Sequence, residues 1–227
     1  SASMSISSQC STRFAIVGII SVLSQNPVQA QTTFSDVRSD DWAAPFIRAL
    51  VDRGVIAGFQ DGSFRPNEPV TRAQFAALVE KAFDRPPVRE ATCFADLPSG
   101  YWATSAIDAA YREGFLSGYP KNIFNPAQPM PRAQVLVALT SGLQFKPEGS
   151  YLSVVTFKDL RSIPAYAQDG ISAATERRLT VNYPDVEVLN PNRSTTRAEV
   201  AVSIYQALVA SQKAPRIGSP YIVYDHP

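Results

Sequence analysis

Histidine is almost missing from this chain of 227 residues: its one copy, His226, stands beside the C-terminus. That removes most histidine-dependent catalysis and most zinc sites. It also leaves no way to build a Ser-His-Asp set. Walker-type and dinucleotide-type glycine patterns are missing too, so neither phosphate-cradle chemistry nor a nicotinamide site is expected. Excess charge of one sign is lacking as well. The net charge is +1 and charged residues make up 18%. A nucleic-acid binder would be clearly basic, with clustered Lys and Arg, and a disordered acidic tail would be strongly negative. Cysteine is scarce, with Cys10 and Cys93 only.

The longest apolar run, Phe14 to Leu23, falls short of the roughly 20 residues a spanning helix needs. Met4 precedes it as a plausible start, Arg13 supplies a positive charge, and Val28 and Ala30 place small residues at the positions that matter for cleavage. Residues 1–30 therefore read as a secretory signal peptide, with a buried helix as the alternative. On that reading Cys10 leaves with the leader and Cys93 remains alone. No intrachain disulfide then forms, and stability must come from packing.

What is present is self-similarity. Phe34, Asp36 and Val37 recur sixty residues later as Phe94, Asp96 and Leu97, and sixty-three residues after that as Phe157, Asp159 and Leu160. An aromatic-alanine pair follows in each copy: Trp42-Ala43, Trp102-Ala103, Tyr166-Ala167. Next come Gly54, Gly58 and Phe59, matched by Gly114, Gly118 and Tyr119, then by Arg178, Asn182 and Tyr183. Pro66, Pro126 and Pro191 align, and six residues beyond each stands an arginine, Arg72, Arg132 or Arg197. Repetition at such a period marks a supersecondary unit that buries its apolar face only by packing on its neighbours.

Each unit reads as helix, glycine-rich loop, helix. Asp40 or Asp41 can cap the first helix, Phe46, Ile47, Leu50 and Val51 share one face, and Gly54 suits a left-handed end. Thr71 with Gln74, and Thr196 with Glu199, fit a capping box. In the middle copy Pro131 replaces the threonine, so that reciprocal cap is lost. The expected fold is all-α: three repeats, 31–88, 91–148 and 154–211, with the three second helices around a pseudo-threefold axis. Linkers fall at Arg85–Val88 and Lys146–Ser150, and residues 212–227 form a C-terminal tail.

Taken together, these motifs resemble the S-layer homology domain family. The first copy matches nearly throughout, from Phe34, Asp36 and Val37 to Thr71, Arg72 and Ala73. The resemblance covers about residues 34 to 210. It implies a spindle with a central three-helix bundle, no catalysis, no cofactor and no metal. It also implies non-covalent attachment of an exported protein, in the periplasm or at the cell surface, to an acidic and typically pyruvylated wall polysaccharide linked to peptidoglycan. Outer-membrane or S-layer proteins are possible further partners.

A planar guanidinium at a helix N-terminus suits the carboxylate of a pyruvylated sugar, by paired hydrogen bonds and the helix dipole. The expected ligand contacts are therefore Arg72, Arg132 and Arg197, with one or two working grooves lined by Arg72 and Arg132. Trp42 and Trp102 could stack on a sugar ring, and the backbone at Gly58, Gly118 and Asp61 could approach hydroxyls. Each has a structural alternative. The arginines could pair with an acid of a neighbouring repeat, the tryptophans could be buried, and Asp36, Asp96 and Asp159 read better as turn caps. In the third copy Arg178 and Asn182 replace both glycines, with Asn able to turn left-handed, which puts a third groove in question. A protein-interaction scaffold on the same fold is the competing function. A glycan hydrolase would need two carboxylates flanking a cleft, whereas Asp52, Glu80, Asp108 and Glu113 fall on helices.

Overall fold

The computed structural model describes residues 33–149 and 157–224; the expected signal segment, residues 1–30, lies outside them. Six α-helices run in chain order: α1 (Ala44–Asp52), α2 (Arg72–Ala82), α3 (Thr104–Arg112), α4 (Arg132–Gly142), α5 (Gln168–Glu176) and α6 (Arg197–Ala210). No strand forms among the described residues, only isolated bridges, so the fold is all-α. No helix among them is long and apolar enough to cross a membrane.

Helix ends follow from local chemistry. Thr71 and Thr196 each accept from the amide three residues on, and Gln74 and Glu199 reach back to the threonine amides, so both capping boxes form. Pro131 takes the same place before α4 with no side-chain cap. Gly54 and Gly114 turn left-handed at the ends of α1 and α3, with φ of 69° and 86°. In the third copy the left-handed residue is Arg178, φ 61°, rather than Asn182. Asn182, a residue type able to turn left-handed, does not do so here. Asn182 is buried and lends its side chain to Arg132 and to the Val186 carbonyl.

The repeats are laced to one another. Each second helix packs on the first helix of the next repeat: α2 on α3, α4 on α5, and α6 back on α1. Just before the second helices, three amides close a ring: Val70 donates to Thr195, Thr195 to Met130, and Met130 to Val70, at 3.0, 2.8 and 2.9 Å. That ring marks the pseudo-threefold axis. Helix α6 also meets α2 and α4 and is buried from Ala198 through Leu208 without a break. Buried on every side, Glu199, Ser203 and Gln206 included, it needs the other two repeats to cover it.

One aspartate per repeat straps the loop. Asp36 accepts from the amides of Phe64 and Arg65, Asp96 from Phe124 and Asn125, and Asp159 from Leu189 and Asn190, all at 2.7–2.9 Å. The second amide of each pair belongs to a residue with positive φ: 58°, 56° and 52°. That conformation costs a non-glycine residue roughly 1–2 kcal/mol, and two charge-assisted bonds offset it. Asp96→Ala is expected to lower stability by about 2 kcal/mol, read as the shift in urea midpoint. Asp96→Asn, which keeps one acceptor, should cost less.

Candidate functional site

The open groove lies between the second repeat and the start of the third. Its walls are the loop Phe115–Tyr119, the outer face of α4 and Tyr166, with Arg72 of the first repeat at one end, around a cavity of about 330 Å³. Arg72 reaches it from the N-terminus of α2. Its Nε donates to the Phe124 carbonyl at 2.7 Å and Nη2 to the Ser117 carbonyl at 2.5 Å. The guanidinium lies over the rings of Phe124 and Tyr119, at 4.4 and 4.9 Å. Burial holds its pKa below the usual arginine range, with Tyr119 and Asp96 opposing, yet an arginine of this kind stays protonated at neutral pH. Nη1 makes no hydrogen bond among the described residues.

Two further groups meet there. Gln134 occupies the position that closes the capping box in the other repeats, but Pro131 has no amide to receive it. Its Oε1 is consequently buried with no hydrogen-bond partner among the described residues. A buried acceptor in that state costs about 1–3 kcal/mol until something donates to it. Tyr166, 60% exposed, stands at the rim with its hydroxyl beside Gln134. Burial pushes that hydroxyl's pKa up, against a hydrogen-bonding contact with the Gln134 side chain that lowers it. Sequence reasoning paired Tyr166 with the two tryptophans yet did not select it. Gln134 was legible only through the Thr-to-Pro change three residues before it.

The other two arginines repeat the lacing in a ring. Arg132 donates from Nε to Leu189 and from Nη2 to Val181 and to Asn182 Oδ1, at 2.7, 3.0 and 2.6 Å. Its Nη1 lies 3.4 Å from Glu199, which Arg193 also grips at 2.5 Å. Arg132 is 4% exposed, as Arg72 is, and differs from it in having all three guanidinium nitrogens engaged; burial lowers its pKa while Glu199 opposes that. Arg197 closes the circle onto the first repeat, with Nε on Phe64 and Nη2 on Ala57 at 2.8 and 2.9 Å, and it is half-buried. Arg65 crowds it, stacked on the same Phe59 ring and paired with Asp61 and Glu68.

The geometry corrects several expectations. The helix N-termini are not free for a carboxylate. The amides of Arg72, Arg132 and Arg197 already bond Gln128, Arg193 and Glu68, and those of Ala73, Ala133 and Ala198 bond Pro126, Pro191 and Pro66. Arg132 faces no open groove, because the C-terminal segment covers that place. Asn182 and Val223 bond Tyr221 and Thr180, and Trp42 stacks on Tyr183 at 4.9 Å with Tyr221 edge-on. Trp42 is thereby committed to protein. Trp102 is 63% exposed and borders a separate apolar cavity of about 950 Å³ with Phe94, Leu97 and Tyr101. Gly58 and Gly118 serve packing, since a Cβ on either would sit 2.2 or 2.4 Å from the ring of Phe34 or Phe94. Asp61 is taken up by Ser63 and Arg65 within its own turn.

The laced threefold ring, with an arginine of each repeat seated in the loop of the next, defines a class of repeat module. The S-layer homology domain matches this chain three times, at residues 33–76, 94–136 and 156–201. The chain belongs to the S-layer homology domain family. It is 32% identical over 183 residues to an amylopullulanase of Thermoanaerobacterium thermosulfurigenes, covering 79% of this chain and 10% of the relative. To S-layer protein EA1 of Bacillus anthracis it is 29% identical over 191 residues, covering 84% of this chain and 21% of the relative. To a cellulosome-anchoring protein of Acetivibrio thermocellus it is 29% identical over 133 residues, covering 56% of this chain and 29% of the relative. The chain thus spans only a minor part of the length of these relatives.

Proposed function

We propose that this chain is a non-catalytic anchoring module that holds an acidic, pyruvylated polysaccharide of the bacterial cell wall in the groove beside Arg72. The protein is exported on this reading and rests in the periplasm or at the cell surface. Family membership supports attachment to the wall, in keeping with relatives named as S-layer and cellulosome-anchoring proteins. The observation that carries the ligand is the trio in the open groove: an arginine with one uncommitted nitrogen, a buried unpaired Gln134 acceptor and an exposed aromatic ring. The Nη1 of Arg72 bonds the ketal carboxylate, Gln134 takes a sugar hydroxyl, and Tyr166 stacks on the ring face.

Retention on purified wall sacculi tests this. Tyr166→Ala changes an exposed side chain and should leave the melting temperature alone while weakening retention about tenfold, which is roughly 1.4 kcal/mol. Removing pyruvate from the sacculi should have a comparable effect on the natural chain. Retention that ignores both changes would sink the glycan reading and favour a protein-interaction scaffold.

A further inference from the structure

A second basic cavity, remote from Arg72, is built where α5 and α6 end and the C-terminal segment crosses them. It encloses about 470 Å³, within the roughly 300–1,000 Å³ of small-ligand sites. Arg177, Arg178 and Arg216 line it, and Glu176 is the one carboxylate that does so among the described residues. Glu176 is already engaged by the amides of Glu148 and Gly149, at 2.7 and 3.1 Å. Arg177 pairs with Glu148 at 2.9 Å and lies over Phe145. The guanidinium groups of Arg178 and Arg216 make no hydrogen bond or ion pair among the described residues. Arg178 is held over the Tyr224 ring at 5.0 Å, and its own carbonyl accepts from Gln206 at 2.7 Å.

The backbone supplies an independent observation. Arg178 sits at φ 61°, where the other two repeats place Gly54 and Gly114. The chain keeps an arginine at a position that suits glycine, one of eight non-glycine residues with positive φ among those described. Val209, Ile217 and Ile222 add apolar surface to a lining that Gln206, Gln212 and Ser219 make partly polar.

We propose that this cavity binds a phosphorylated sugar. Arg178 and Arg216 fork onto the phosphate oxygens, and the sugar's carbon face lies on Ile217 and Tyr224. The site is independent of the groove at Arg72. Glucose 1-phosphate and glucose are the probes, titrated into the full chain and followed by NMR. Glucose 1-phosphate should shift the side-chain Nε signals of Arg178 and Arg216 and the amide of Tyr224, with Kd of about 1 mM or tighter, and glucose should not.

Arg178→Gly restores the residue of the other repeats, so the melting temperature should hold or rise while binding falls at least tenfold. Arg216→Gln should weaken binding similarly, and Tyr166→Ala should leave it unchanged. The proposal is overturned if glucose 1-phosphate shifts none of these signals. It is equally overturned if both arginine variants lose stability but not ligand response, the mark of groups that only offset the carbonyl ends of α5 and α6. Capture by phosphatidylglycerol vesicles through the two arginines, without response to glucose 1-phosphate, would overturn the sugar assignment.

Discussion

Arg132→Ala is expected to cost about 3–5 kcal/mol, enough to leave a small domain largely unfolded. The substitution strips hydrogen bonds from Leu189, Val181 and Asn182 at once. It also leaves Glu199, 7% exposed, with Arg193 as its sole remaining cation among the pairs described. Urea denaturation with circular dichroism reads the loss. A cost below about 1 kcal/mol would mean that the ring of arginines between repeats does not hold them together. The same buried cluster sets a pH signature. Burial alone would raise the pKa of Glu199, but Arg132 and Arg193 outweigh it and hold the carboxyl below its ordinary range. A depressed folded pKa contributes stability that is full above the unfolded value, about 4.3. That contribution is lost as pH falls through the folded value. The natural chain should lose stability on acidification from pH 5 downward, and Glu199→Gln, weaker at neutral pH, should show a flatter acid limb.

Gly58→Ala is the second large effect. The added Cβ would lie 2.2 Å from the Phe34 ring and 2.8 Å from the Ser63 carbonyl oxygen. The ring can shift, but the backbone cannot follow cheaply, because Phe59 and Ser63 are bonded across the loop at 2.8 Å. Overpacking of this kind costs about 1–3 kcal/mol. Adding Phe34→Leu should recover part of the loss by making room, which a thermal melt of the double variant would show. If Gly58→Ala is neutral, the glycine is not there for the ring, and close approach of a ligand to the backbone becomes the better account.

The proposed anchoring rests on one groove because the threefold ring is broken in two different ways. Around Arg197, Arg65 competes for the Phe59 ring. Around Arg132, the C-terminal segment and the Trp42–Tyr183 stack fill the space. Where Pro131 of the middle copy faces the exposed Tyr166 of the third, a hollow with an unpaired acceptor remains.

Local signals gave the repeat, the helices and the two capping boxes, but not the start of α1, where Ala43 rather than Asp40 or Asp41 is the N-cap and no side chain caps the helix. Capping boxes at Thr71 and Thr196 and the left-handed Gly54 depend on residues within a few positions of one another, so spacing alone reveals them. The arginines were legible as special, but their role was not. A guanidinium at the first turn of a helix looks the same in sequence whether it faces solvent or a neighbour's carbonyl. Arg132 bonds Leu189, Val181 and Asn182, and those partners lie about fifty residues away. The partner of each second helix was likewise hidden, since apolar periodicity says which face is buried but not against which helix. Sequence by itself determined three like units that cannot fold alone. Tertiary closure decided how each arginine is engaged, because the bonding of that charge depends on the loop that the next repeat lays over it.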